Sequence, residues 1–198
     1  MRLAELNLSD FKYIAKKKFG YPDDIIDFLE KNDYRISGVG DFSQVWIHPT
    51  SNIAIKISTG NDKCWIKYAG FVKKNPNIHF LKIGKISKLK GFYIAFIEKL
   101  KRNPGRASSS NMSDWATVFI DRNGFEDFSS TSYYNNARVK KRIIKFEQDN
   151  PELIKAMRLI NQKLVKSPCS FDLFGPQNFM QRNDGTIVII DPLYFEVD

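Results

Sequence analysis

The sequence predicts an α+β fold: a β-rich N-terminal part, residues 1–100, followed by a helical part, residues 101–198. Three observations predict it. Short β-branched and aromatic runs separated by turn residues fill Tyr34 to Leu100. One segment of helical spacing, Lys63 to Lys74, interrupts them and stops before Asn75-Pro76. Beyond a polar, turn-rich stretch at Asn103 to Ser113, two longer segments have helical spacing. At 198 residues, with 42% hydrophobic and 14% aromatic residues, the chain can bury a core. That length fits one domain or two small lobes sharing a cleft.

Taken in order, Ser9-Asp10 open a lysine-rich segment that reads as a short helix. Pro22-Asp23-Asp24 open a second, since proline suits the first turn and acids suit the positive helix end. Tyr34 to Trp46 reads as strand interrupted by glycines, and Ile53 to Ile57 as the strand returning from the turn His48 to Asn52. Together they make a β-hairpin with a glycine-rich bend near its start. Leu81 to Leu89 and Phe92 to Leu100 form another strand pair, joined at Lys90-Gly91. The stretch Asn103 to Ser113 connects the two lobes, and its Arg106 precedes Ser108, Ser109 and Ser110, a candidate self-phosphorylation site. Helices follow at Ala137 to Gln148 and at Pro151 to Val165, the latter opened by proline and an acid. The turn Asn183-Asp184-Gly185 sets up an apolar strand from Thr186 to Ile190.

The excess of 31 Lys+Arg over 22 Asp+Glu gives a formal charge of +9, which suits anionic partners: nucleic acid or acidic protein patches. A basic surface serving only solubility fits equally well, and no stretch matches a named nucleic-acid-binding module. Cys64 and Cys169 lack metal-ligand spacing and read as small buried thiols. The N-terminus has no apolar signal core and no segment is long enough to span a membrane. A reduced, cytoplasmic protein is the expectation.

Four separated segments carry chemistry: Gly38-Val39-Gly40-Asp41-Phe42-Ser43-Gln44-Val45, Ile53-Ala54-Ile55-Lys56, Ser170 to Asn178, and Ile189-Ile190-Asp191-Pro192. Gly38 and Gly40 let backbone amides approach a phosphate without side chains in the way. A lone Gly-x-Gly in a strand is more often a bulge. Dinucleotide binding would require this loop to open a helix, whereas strand follows Gly40. Phe42 could close over phosphates and Val45 could pack on a base, with Ser43 where a third glycine is usual. Lys56 alone would be a solvent-facing strand lysine; after a glycine-rich hairpin it reads as a phosphate ligand. On that reading Lys56→Ala weakens ATP use without unfolding the chain. A glutamate partner for it is missing from Lys63 to Lys74, which leaves Asp62 as the nearest candidate.

Asp172 and Asn178 could merely cap a turn around Gly175-Pro176, and Asp191-Pro192 could end a buried strand. The alternative is chemical: Asp172 beside an attacking hydroxyl, Asn178 and Asp191 as oxygen ligands for Mg2+. The step from Asp172 to Asn178 is six residues where kinases have five, and the step from Asn178 to Asp191 is 13, the kinase interval. One inserted residue explains both and favours Asn178 over Gln177. Together the segments look like those of a small protein kinase. Gly38, Val39, Gly40, Asp41, Phe42, Ser43, Val45, Ala54 and Lys56 would line an ATP site, with Glu98 to Leu100 as its adenine-side hinge. Only Leu193 to Asp198 follow Asp191-Pro192, so no activation segment or helical substrate lobe is expected there.

From Tyr34 to Asp198 the sequence resembles the serine/threonine protein kinase that autographivirus phages make early in infection. The resemblance rests on Gly38-x-Gly40-x-Phe42-Ser43, His48-Pro49, Ile55-Lys56, Ser170-Phe171-Asp172 and Asp191-Pro192. It implies a minimal protein-kinase-like fold and ATP- and Mg2+-dependent phosphorylation of host proteins, transcription and translation machinery among them. Two other functions stay open. A pseudokinase-like binding module would inhibit a host factor by occupancy, and a small-molecule phosphotransferase would also lack an activation segment.

Overall fold

In a computed structural model, the described residues are 22–102, 137–166, 168–172 and 178–195. The expected helix at Ser9-Asp10, the Asn103 to Ser113 connection with its serines, and Gly175-Pro176 lie outside them. The chain divides into two compact units, Met1–Lys73 with Leu81–Lys99, and Lys74–Phe80 with Leu100–Asp198. The described residues form helices and antiparallel strands, an α+β composition.

The first unit is built on a five-stranded sheet with the order β1-β2-β3-β5-β4. Its strands are β1 (Arg35–Gly40), β2 (Ser43–Ile47), β3 (Ile53–Thr59), β4 (Ile83–Leu89) and β5 (Phe92–Glu98). Helix α1 (Pro22–Lys31) precedes the sheet, and α2 (Lys63–Lys74) lies between β3 and β4. Alternation sorts the strand residues into two faces. Trp46, Ile55, Ile57, Phe92, Ile94 and Phe96 share one core with Ile25 and Leu29 of α1. The β4–β5 turn holds Gly91 at φ +80, a conformation other residues rarely adopt.

Tyr34 to Trp46 is thus two strands rather than one. Gly40 pairs with Ser43, so the chain reverses through Asp41-Phe42, and a register shift between Ile36 and Gly38 absorbs the odd residue. The last strand also stops at Glu98, short of Leu100.

In the second unit, α3 (Ala137–Asp149) buries Ile143 and Phe146, and α4 (Pro151–Leu164) buries Leu153, Ile154, Ala156, Met157, Ile160 and Leu164. That spacing is one apolar stripe. Asn150 between them turns back, its Nδ2 donating to the Phe146 carbonyl 3.0 Å away. Short strands β6 (Lys101–Arg102), β8 (Phe179–Gln181) and β9 (Ile187–Ile189) form one sheet in the order β6-β8-β9; β7 (Cys169–Phe171) pairs with β10 (Leu193–Phe195). Cys64 and Cys169 are buried as expected, but both are disulfide-bonded where the sequence reading has reduced thiols. Among the described residues no helix is long and apolar enough to cross a membrane.

Candidate functional site

The predicted residues fall into two groups, one in each unit. In the first unit, Lys56 of β3 stands opposite Val45 of β2 and Ala95 of β5. Side chains directly opposed across antiparallel strands project from the same face. Ala54, two residues from Lys56, therefore shares that face, as does Ser43, which pairs with Ser58. Gly38 pairs with Val45 and Gly40 with Ser43, so β1 presents two glycines there. A Cβ added at Gly38 would meet nothing within 4 Å, and one at Gly40 would come 3.7 Å from Ser43 Oγ. Neither glycine has a positive φ. Their contribution is therefore open space beside the backbone.

Lys56 is 4% exposed, which rules out a solvent-facing strand lysine. Its Nζ lies 3.7 Å from Asp62 Oδ2 and 4.4 Å from the centroid of the Trp65 ring, over its face. Asp62 immediately precedes α2, and Trp65 is the helix's third residue. Sequence reasoning named Asp62 and missed Trp65. A buried lysine six positions before the carboxylate and nine before the indole leaves no periodic signal, because the contacts cross from a strand to the start of the next helix.

The remaining first-unit residues lie at the edges of this face. Val39 and Phe42 are exposed on the β1–β2 hairpin, and Asp41 is in its turn. Glu98, at the end of β5, accepts a hydrogen bond at Oε1 from the Lys82 backbone N–H, 2.8 Å away. Leu100 belongs to the second unit and to no strand.

In the second unit, β7 delivers Asp172 and β8–β9 delivers Asn178 and Asp191. The Asp172 N–H donates to the Pro192 carbonyl at 2.8 Å, continuing the β7–β10 pairing. The Ile190 N–H donates to the Asn178 carbonyl at 2.9 Å, extending β8–β9. Those two bonds place Asp172 beside the Asp191-Pro192 segment, and Asn178 one residue from it. Asn178 is 5% exposed, and its Nδ2 donates to the Asp172 carbonyl at 2.6 Å. Burial pushes the Asp172 carboxyl above its ordinary value; a hydrogen bond from the Asn178 side chain pulls it down, and the charge of Asp191 pushes it up.

The three residues suit a hard cation. Two carboxylates close enough to repel each other are stabilised by a positive charge between them. Asn178 directs its amide N–H groups at Asp172, so Oδ1 is the end of that amide able to take a metal.

No protein-family model and no curated protein matches the sequence. Among solved structures, the chain is similar to one described as the crystal structure of Rad53 1-466 in complex with AMP-PNP. The TM-score is 0.43 and the identity 16%; the match covers 85% of this chain and 42% of that one. The chain thus spans less than half of that structure's length. A likeness so distant carries no weight for function.

Proposed function

We propose that this chain is an ATP-dependent phosphotransferase of the protein-kinase type, with serine or threonine hydroxyls as acceptors. One observation carries the reading: a buried lysine, Lys56, shares a sheet face with Val45, Ala54 and two glycines, one facing open space. A cation on a face where two glycines carry no side chain suits a nucleotide's phosphates, while Val45 and Ala54 offer apolar contact for its base. In this reading Lys56 holds the phosphates, and backbone N–H groups from Gly38 to Ser43 approach them.

Asn178 and Asp191 would hold Mg2+, which when bound neutralises charge on the phosphates. Asp172 orients the acceptor hydroxyl and takes its proton; its upward-shifted carboxyl is a better base than an ordinary aspartate. Kinase-like architecture, host proteins as acceptors, and transcription or translation machinery among them are parts of this proposal that rest on the sequence resemblance. The formal charge of +9 is compatible with acidic or nucleic-acid-bound acceptors.

The test is incubation of the purified protein with γ-labelled ATP, Mg2+ and a bacterial lysate, beside Asp172→Asn as control. Labelled proteins that vanish with the control support the reading. Labelled metabolites alone would replace it with a small-molecule phosphotransferase. No label, with nucleotide still bound, would replace it with a binding module.

A further inference from the structure

A buried ammonium needs partners, because taking it out of water is costly unless opposite charge or polarisable groups surround it. Helix α2 has no acidic residue in its sequence Lys-Cys-Trp-Ile-Lys-Tyr-Ala-Gly-Phe-Val-Lys-Lys. What stands against Lys56 is Asp62, just before the helix, and the face of Trp65 in its first turn. The carboxylate is 3.7 Å from Nζ and 13% exposed; the indole is 1% exposed. An aromatic face attracts a cation through its quadrupole, most strongly when the pair is desolvated, as here.

We propose that Asp62 and Trp65 together are positioning residues for Lys56, holding its ammonium where a carboxylate within the helix would otherwise do so. This rests on the phosphotransferase reading and deepens it. Unlike a second carboxylate, the ring restrains the lysine without adding a negative charge that would oppose incoming phosphates.

The clamp is local. Lys56 and Asp62 are joined by the end of β3 and a short turn, and that turn is pinned to the sheet. The Thr59 N–H donates to the Phe42 carbonyl at 2.8 Å, and the Gly60 N–H to the Gly91 carbonyl at 2.9 Å. A Cβ at Gly60 would come within 3.2 Å of that carbonyl oxygen, so glycine permits the approach. The Asp62 N–H then donates back to the Thr59 carbonyl at 3.2 Å. The carboxylate is therefore placed by the two hairpin turns of the sheet, and Trp65 follows within one helical turn. Asp62 just before α2 and Trp65 in its first turn thus both meet the lysine at the start of the helix.

The test combines a nucleotide-free measurement with kinetics. In protein labelled at lysine Cε, one resonance should be shifted upfield by the indole ring current, and should vanish in both Lys56→Met and Trp65→Leu. With the wild type active, Trp65→Leu should raise the KM for ATP roughly 3- to 30-fold with little change in kcat. Trp65→Phe, which keeps an aromatic face and guards against misfolding, should fall between. Asp62→Asn should raise KM and leave the ring-current shift in place. An unshifted Lys56 resonance, or a Trp65→Leu protein that melts earlier but keeps the wild-type KM in its folded fraction, would overturn the clamp. If the wild type binds no Mg-ATP, the proposed function falls, while the Lys56 resonance still decides whether the clamp exists.

Discussion

Asn178 donates from Nδ2 to the main-chain carbonyl of Asp172, 2.6 Å away, and so closes the six-residue step between them. The extra residue relative to the kinase spacing does not separate the two. Removing the amide orphans a part-buried carbonyl, at a cost of about 1–3 kcal/mol. Asn178→Ala should therefore lower the melting temperature and raise the Mg2+ concentration for half-maximal activity. Asp191→Asn, which removes charge and keeps volume, should raise that Mg2+ requirement further. Magnesium titrations of the two purified variants check this; unchanged requirements in both would remove them as ligands.

Lys56→Ala should do more than weaken ATP use. The sequence alone treats this lysine as separable from the fold, but it is buried against an Asp62 side chain that is only 13% exposed. Breaking such a pair from one side costs up to about 3–5 kcal/mol. The double variant Lys56→Met with Asp62→Asn should recover much of the melting temperature and none of the phosphotransfer. A Lys56→Ala protein as stable as wild type would contradict this.

Gly38→Ala should separate function from stability. Its backbone needs no positive φ, and a Cβ there meets nothing within 4 Å. Melting should stay within about 0.5 kcal/mol of wild type, while the added methyl fills space intended for phosphates and raises the KM for ATP. Gly91→Ala is the converse: its φ of +80 makes alanine cost about 1–2 kcal/mol, with KM unchanged. If Gly38→Ala binds ATP normally, the glycines are not a phosphate cradle.

Asp172→Asn should abolish phosphotransfer and stabilise the fold at neutral pH. Burial raises the Asp172 carboxyl in the folded protein, with Asp191 adding to the rise and Asn178 opposing it. A raised acid binds its proton more tightly folded than unfolded, so its contribution is fully present below the unfolded value of 3.8 and is lost as pH rises through the folded value. The melting temperature of Asp172→Asn, measured without Mg2+, should exceed wild type by more at pH 7 than at pH 4. An equal difference at both pH values would mean that the carboxyl is not strained by its surroundings.

Much of the first unit was legible because its signals are local. Helix α2 occupies the span that its apolar spacing and Asn75-Pro76 mark, and β3 to β5 follow their alternating runs. The reversal at Asp41-Phe42 was missed, since a Gly-x-Gly segment looks the same to composition whether it bends a strand or leads into a turn between two. In the second unit α3 and α4 were legible from one apolar stripe each, but β6, β7, β8 and β10 were not. Those strands are two or three residues long, too short for alternation to register, and exist because distant partners complete their hydrogen bonds.

The sequence by itself determined which side chains can carry the chemistry: Lys56, Asp172, Asn178 and Asp191 at intervals along one chain. It also determined that α2 supplies no acid. Only the tertiary structure decided that Lys56 is buried, that Trp65 lies over it beside Asp62, and that Asn178 bonds back to Asp172. The reason is physical. Residue type and local periodicity are written in nearest neighbours, whereas burial and partner choice depend on which strands and turns close on one another.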